Sequence, residues 1–437
     1  MKNPTKTSKP VHIVVLGAGF GGLTFCKQLQ MPGARITLVD RTNHHLFQSL
    51  LYQVATCGLS APDIAQPVRS IMSDRPDVTV LLDNVAGFDL DQNRVRLEKN
   101  TLSYDYLVLA LGGQTGYFGH PEWERFAPGL KSLDDALRIR SHVLLSFEQA
   151  ENEANTAEHD KRMTIVVVGG GPTGVELAGS FAELTSTVLK RDFRRIDPTQ
   201  ARIILIEASP NLLSNFPKDL CASARRQLEA LGVQVRTETS VKDIREGEII
   251  HAANVVWAAG VSATPLTKKL GVELDRAGRV KVNPDLSLPG HPEIFAIGDM
   301  AFVPQADGKP VLGVSPAAIQ MAAHVANIIE QKAMFAANPS FRPAFKYWDK
   351  GTMATIGHSA AVAWIGKLKF SGPLTWLAWL FVHLIFLIGF RNRTSVFFQW
   401  AYSYFSYKRS ARLITNRPLK IEPEKPTPQL TPSPAIL

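Results

Sequence analysis

Two stretches of this chain repeat one pattern, and the pattern leaves few folds open. The first runs from Ile13 to Asp40. It opens on an apolar run from Val11 to Leu16, broken only by His12, which reads as a strand buried on both faces of a parallel sheet. Gly17, Gly19 and Gly22 follow in G-x-G-x-x-G register, around Phe20 and Gly21. A helix from Leu23 to Gln30 and a strand from Ile36 to Val39 complete the unit, which ends on Asp40. Each part has a physical task. Gly17 permits the tight turn, Gly19 lets a pyrophosphate approach the backbone, and Gly22 lets helix and strand close up. The helix N-terminus attracts the pyrophosphate, and the Asp40 carboxylate accepts from ribose hydroxyls.

The second copy runs from Thr164 to Glu207. Ile165 to Val168 is the strand. Gly169, Gly171 and Gly174 keep the spacing, with Pro172 and Thr173 among them. Val175 to Leu189 reads as a long helix, and Arg202 to Ile206 as the strand that ends on Glu207. One such fingerprint is weak; two complete units in one chain are far more specific and imply two dinucleotides. The usual pair is a tightly held flavin and an exchangeable nicotinamide. A carboxylate at Glu207 suits the ribose hydroxyls of NADH and repels the 2′-phosphate of NADPH. The predicted fold is α/β, with two Rossmann-like, glutathione-reductase-like dinucleotide-binding domains and a C-terminal helical membrane-binding segment.

A chain of 437 residues has room for this. Its net charge of +9 is concentrated in an N-terminal tail (Lys2, Lys6, Lys9) and near the C-terminus (Arg391, Arg393, Lys408, Arg409, Arg412). Without a nucleic-acid motif, that distribution points to anionic lipid. Cys26, Cys57 and Cys221 are far apart and form no C-x-x-C pair, as in a reducing compartment. No signal peptide is legible, so the catalytic part is expected in the cytoplasm. His44 and His45 have no second cluster to make a metal site, and none is predicted.

Further strands are expected at Asp77 to Val85, Arg94 to Leu97, Tyr104 to Leu111, Gln234 to Thr237 and Ile249 to Ala258. Tyr104 to Leu111, ending in Gly112-Gly113, resembles the strand that leads away from FAD in two-domain flavoproteins. Val255 to Gly260, with Ala259, is its counterpart. Ile294 to Ile297 leads to Asp299, where such flavoproteins hold the ribityl chain. Ser315 to Glu330 is a helix with Pro316 in its first turn and Ala317 behind it; its N-terminus favours negative charge on a reduced flavin.

The end of the chain differs. Leu374 to Phe390 is apolar but short of the roughly 20 residues that a span wants. From Ser395 to Tyr407, Phe397, Trp400, Ala401, Tyr404 and Phe405 share one helical face. Ser395, Gln399, Ser403 and Ser406 take the other. This suits a helix lying in the membrane interface, with a true span and soluble packing as the alternatives. Five prolines after Leu419 mark a disordered tail. The domains are therefore expected as a basic tail (1–10), an FAD domain (11–130 and 285–345), an NADH domain (162–284), a membrane-associated region (346–416) and a Pro-rich tail (417–437).

The motifs VLGAGFGGL, HHLFQSLLYQVATCGLS, VVGGGPTGVELAGSFAEL, IFAIGDMA, SPAAIQMA and LFVHLIFLIGFRNR together resemble the type II, non-proton-pumping NADH:quinone oxidoreductases. The resemblance covers nearly the whole chain, from about Val11 to Arg412. It implies FAD on the first unit, NADH on the second, a quinone reached from the membrane, and a homodimer as the family precedent. It assigns Arg41, Gln48, Gln53, Val85, Gly112, Asp299 and Ala317 to FAD beside the first glycine turn. Glu176 falls on the carboxylate that the family sets beside nicotinamide and flavin, where it positions the carboxamide or relays a proton. Gln320 falls on the last Gln of the family's A-Q-x-A-x-Q quinone motif. The first Ala-Gln of that motif is Ser315-Pro316 here, which removes a donor. Another electron acceptor, or a flavin-based NADH sensor, is the alternative reading. A sulfide:quinone oxidoreductase needs a cysteine pair near the flavin, and a disulfide reductase needs C-x-x-x-x-C; neither is present.

Overall fold

The computed structural model describes residues 10–244, 252–305, 308–331, 342–406, 409 and 411–414. The lysines of the basic tail, Lys408, the first residues of the strand expected from Ile249 and the Pro-rich tail lie outside the described residues. In the first half, β1 (His12–Leu16), β2 (Arg35–Asp40), β3 (Val78–Leu82) and β4 (Tyr106–Leu109) run parallel in the order β4-β1-β2-β3. Val15 pairs with Leu38 on one side and Val108 on the other. A central strand flanked in this way tolerates no polar side chain on either face, hence its apolar run from Ile13 to Leu16. Helix α1 (Phe20–Gln28) begins in the glycine turn itself, three residues before the expected start. The strand expected over Asp77 to Val85 stops at Leu82; Val85–Asp89 instead joins Arg94–Leu97 and Thr101–Ser103 in a small antiparallel sheet.

After β5 (Gly113–Thr115), helix α2 (Leu133–Asn152) leads to the second half. The Ser132 hydroxyl accepts from Asp135 N–H at 3.1 Å, and the Asp135 carboxylate accepts in return from Ser132 N–H at 2.8 Å. This reciprocal cap fixes where α2 starts. Next come β6 (Thr164–Val168), α3 (Pro172–Glu183), β7 (Arg202–Ile206), β8 (Gln234–Arg236) and β9 (Asn254–Trp257), with sheet order β8-β7-β6-β9. Regular helix in α3 ends at Glu183, short of the expected Leu189, and continues as a π turn (Leu184–Val188) and a tight turn (Leu189–Arg191).

The chain returns to the first half earlier than residue 285. β10 (Val261–Ala263) pairs antiparallel with β5, and Leu270 and Val280 are already in the core of the first half. β11 (Ser287–Leu288) and β12 (His291–Ala296) close the first sheet beside β4, and α4 (Ser315–Glu330) covers α1.

The last region is not only helical. β13 (Thr352–Ile356), β14 (Ala360–Ile365) and β15 (Leu368–Ser371) form an antiparallel sheet ahead of α5 (Pro373–Phe386) and α6 (Phe390–Ser406). Gly389, at φ +89°, breaks the apolar run between the two helices. Among the described residues no helix is long and apolar enough to cross a membrane. α5 buries Thr375 and Trp379 and exposes Leu374 (81 %), Leu377, Phe381 and Ile385. α6 buries Asn392 and Val396. Its Ser395 hydroxyl donates to Asp63 Oδ1 at 2.9 Å, and its Trp400 Nε1–H donates to Gln53 Oε1 at 2.8 Å. Phe397, Phe398 and Tyr402 point outward. Trp400 therefore belongs to the protein side, not with the outward aromatics; the Phe405 side chain lies outside the described residues. Both helices leave an aromatic, apolar face outside, and α6 turns Asn392 and Ser395 inward, the reverse of an ordinary surface helix.

Two of the cations expected to meet lipid are turned inward. Arg412 pairs with Asp192. Arg409 is buried, pairs with Glu183 at 3.0 Å, and donates to the carbonyls of Thr56 (2.9 Å) and Ser180 (3.2 Å). It thus ties the C-terminal segment to α3 and to the loop before Cys57. Removing one member of a buried pair leaves the other charge without compensation. Arg409→Met is expected to cost about 3 kcal/mol in urea unfolding, and the double variant Arg409→Met/Glu183→Gln to recover most of it. A single variant as stable as the wild type would contradict the assignment.

Candidate active site

The two glycine turns are built alike. Gly17 has φ +102° and its N–H donates to Val39 O at 2.8 Å; Gly169 has φ +113° and its N–H donates to Ile206 O at 2.8 Å. A Cβ on Gly22 would overlap the Gly17 carbonyl, and one on Gly174 the Gly169 carbonyl. At the helix caps, Gly19 and Gly171, an added Cβ would meet nothing within 4 Å. Each turn therefore presents unpaired first-turn N–H groups and the positive end of a helix to open space, a fit for a dinucleotide pyrophosphate. The acids close the resemblance. Asp40 Oδ2 accepts from Ala18 N–H at 2.6 Å, and Glu207 Oε2 accepts from Gly170 N–H at 2.5 Å. The other oxygens accept from Thr42 N–H and Ser209 N–H, each at 2.7 Å. Each carboxylate is pinned at the mouth of its turn, with acceptor capacity beyond these bonds.

Most residues expected on the flavin converge. A Cβ on Gly21 would lie 3.0 Å from the Ile297 side chain and 3.6 Å from the Ala318 carbonyl, and one on Gly113 would lie 3.3 Å from Asp299 Cβ. The first glycine turn, the Gly112-Gly113 end of β4, Asp299 and the start of α4, which carries Ala317 and Ala318, are thus brought together. Arg41 is exposed beside Asp40, and Val85 is half-buried in the small sheet. Gln48 and Gln53 are engaged elsewhere. Gln48 Nε2 donates to Lys131 O at 3.0 Å. Gln53 donates to the Tyr52 hydroxyl at 2.9 Å and accepts from Trp400, which makes it a tie to α6. His45 is buried, with Nδ1 3.0 Å from Ala18 O. A carbonyl only accepts, so Nδ1 carries the proton; burial holds the ring neutral. Among the described residues no three His, Cys, Asp or Glu side chains are grouped as a metal would need.

One polar stripe was not legible as a unit. Glu176, Ser180 and Glu183 lie at i, i+4 and i+7 on the face of α3 that meets β13 and Arg409. Glu176 Oε1 accepts from Thr355 N–H of β13 at 3.3 Å. Burial pushes its carboxyl up to about 8, against a smaller opposing pull from that N–H. The Tyr52 phenol, close enough to sense the Glu176 charge, is raised well above its usual range, chiefly by burial. Burial thus favours the protonated form of Glu176 at neutral pH.

Gln320 is bonded at both ends of its amide to the backbone of one residue: Nε2 donates to Trp348 O and Oε1 accepts from Trp348 N–H, each at 3.0 Å. Pro316 lies one turn earlier on the same face, with Ser315 at the helix start. A second amide N–H of Gln320 remains for a substrate carbonyl. The three cysteines are free and buried. Burial pushes Cys26 up to about 12 and Cys57 up to about 11, so neither is a thiolate nucleophile at neutral pH.

Comparison with known proteins bears on the whole chain. Residues 11–326 match the pyridine nucleotide-disulphide oxidoreductase family, and residues 349–408 match the NDH2 C-terminal domain. Two type II NADH:quinone oxidoreductases of Mycobacterium tuberculosis are each 43 % identical to this chain. The alignments cover 93 % and 95 % of this chain and 90 % and 93 % of theirs. A solved structure of NDH2 from Plasmodium falciparum in complex with NADH superposes with a TM-score of 0.84 at 21 % identity, over 93 % of this chain and 100 % of that one. The sulfide:quinone oxidoreductase of Aquifex aeolicus, at 17 % identity and a TM-score of 0.70, covers 91 % of this chain and 95 % of its own and shares the fold.

Proposed function

The chain belongs to the type II NADH:quinone oxidoreductases, and we propose that it carries a hydride from NADH to FAD and two electrons on to a quinone at a membrane surface, without pumping protons. The observation that carries this reading is the pair of matched dinucleotide cradles, joined by the β5–β10 crossover. Gly17, Gly19, Gly21, Gly22, Asp40, Gly112, Asp299 and Ala317 hold FAD, which when bound supplies the hydride acceptor. Gly169, Gly171, Pro172, Thr173, Gly174, Glu207, Ala259 and Gly260 hold NADH. Glu207 sets the preference against NADPH by charge. The frame's task is orientation and exclusion of water. Glu176 holds a proton at neutral pH beside Tyr52, where it positions the carboxamide or passes the proton on. NADH, one proton from solution and a quinone give NAD⁺ and quinol.

The outward faces of α5 and α6 suit the headgroup boundary of a bilayer and bring an apolar quinone toward Ser315, Pro316 and Gln320. Free buried thiols support the cytoplasmic side of the inner membrane. The test is stopped-flow absorbance at the flavin band. NADH is expected to bleach it faster than NADPH at equal concentration, and a short-chain quinone to restore it. Bleaching without restoration would remove the quinone half and leave another acceptor or a sensor.

A further inference from the structure

Phe118 has no part in the assignments above. Its φ is +52°, a left-handed conformation that is a genuine outlier for a bulky side chain and is strained. Burial does not compensate, because the residue is 72 % exposed. The backbone around it is nevertheless firmly set. Gly116 N–H donates to Gly260 O at 3.3 Å, and Trp257 Nε1–H donates to Gly116 O at 3.0 Å. The ring lies over Gly260: a Cβ there would be 2.9 Å from Phe118 Cζ. Trp257 is edge-on beneath it, with centroids 6.2 Å apart.

The sheet order says which part of a dinucleotide passes this point. Glu207 follows β7, the glycine turn follows β6, and Ala259-Gly260 follows β9; β7, β6 and β9 are adjacent in that order. A dinucleotide with its adenosine ribose at Glu207 and its pyrophosphate at the glycine turn continues over Ala259-Gly260. That end is the nicotinamide half. β10 comes directly after and pairs with β5, whose Gly113 abuts Asp299. The Phe118 ring therefore stands where the nicotinamide approaches the flavin side.

We propose that Phe118 is a wall of the nicotinamide site, its ring packing against the nicotinamide half of NADH, and that the strained backbone holds the ring out for that contact. The proposal rests on the assignment of the second glycine unit to NADH. Were Phe118 merely a cap on Trp257, its loss would lower stability and leave NADH untouched.

Phe118→Gly separates the two, since glycine relieves the left-handed strain as it removes the ring. In flavin-loaded enzyme the NADH concentration at half-maximal bleaching rate should rise about threefold to tenfold, the worth of one aromatic contact. Inhibition by ADP-ribose, which lacks the nicotinamide ring, should not change, and neither should reoxidation by short-chain quinone. The melting temperature should be equal or higher, and Phe118→Tyr should behave as wild type. Unchanged NADH dependence with a lower melting temperature would overturn the proposal. So would equal weakening of NADH and ADP-ribose. Failure of the underlying assignment shows separately, as NADH reduction that survives Gly174→Val.

Discussion

A Gly174→Val enzyme is expected to purify with its flavin and to lose reduction by NADH by on the order of a hundredfold or more. Gly174 stands where α3 crosses the turn after β6. A Cβ there would overlap the Gly169 carbonyl and touch Ala258 Cβ at 3.5 Å. The Gly169 carbonyl is backbone and cannot rotate away as a side-chain tip could, so the start of α3 must move. Overpacking of this kind costs about 1–3 kcal/mol, which a protein of this size survives. Binding does not survive it equally, because the N–H groups of the first turn act through their position. The matched substitution Gly22→Val meets the same overlap with Gly17 in the first half and should release FAD. Flavin content after gel filtration and flavin bleaching by NADH distinguish the variants. Loss of flavin from Gly174→Val with retention in Gly22→Val would reverse the assignment of the two cradles.

Both cradles were legible because their physics is local. A buried strand, a turn that needs positive φ and a helix that must approach closely are encoded within a few residues, twice. The acids were legible for the same reason, although their bonds to Ala18 and Gly170 add a structural task that spacing alone does not reveal. What escaped reading depends on residues far apart in the chain. The sheet of β13 to β15 is built from short strands, and its middle one, β14, carries Ala360, Ala361 and Ala363, residues of weak strand propensity. The apolar run from Leu374 is divided by one left-handed glycine, Gly389, whose signal is easily missed inside a hydrophobic stretch. Arg409 looks like a lipid-facing cation until Glu183 is placed beside it. Gln53 and Gln320 carry the right chemistry for ligands, yet their amides are engaged by Trp400, Tyr52 and Trp348. Amphipathicity grouped Trp400 with the outward Phe397 and Tyr404 of α6 and could not say that it turns to the protein with Ser395.

Glu176 gives the largest expected effect of pH. An ordinary glutamate releases its proton near 4.5, whereas burial holds this one to about 8. Between those values the folded protein carries a proton that the unfolded chain has lost, so stability falls as pH rises and levels off above about 8. At about 1.4 kcal/mol per pH unit, the full loss is roughly 5 kcal/mol. Glu176→Gln keeps an acceptor for Thr355 N–H and cannot ionise, so it should lack this slope. The variant should unfold at nearly the wild-type urea concentration at about pH 5. By about pH 9 it should be the more stable by several kcal/mol. Glu183 also lies in this stripe with a carboxyl raised by burial, but it is unchanged between the two proteins, and its effect cancels in the comparison. Parallel pH profiles for wild type and variant would mean that Glu176 is ionised in the folded enzyme, and its use as a proton holder would fall with that result.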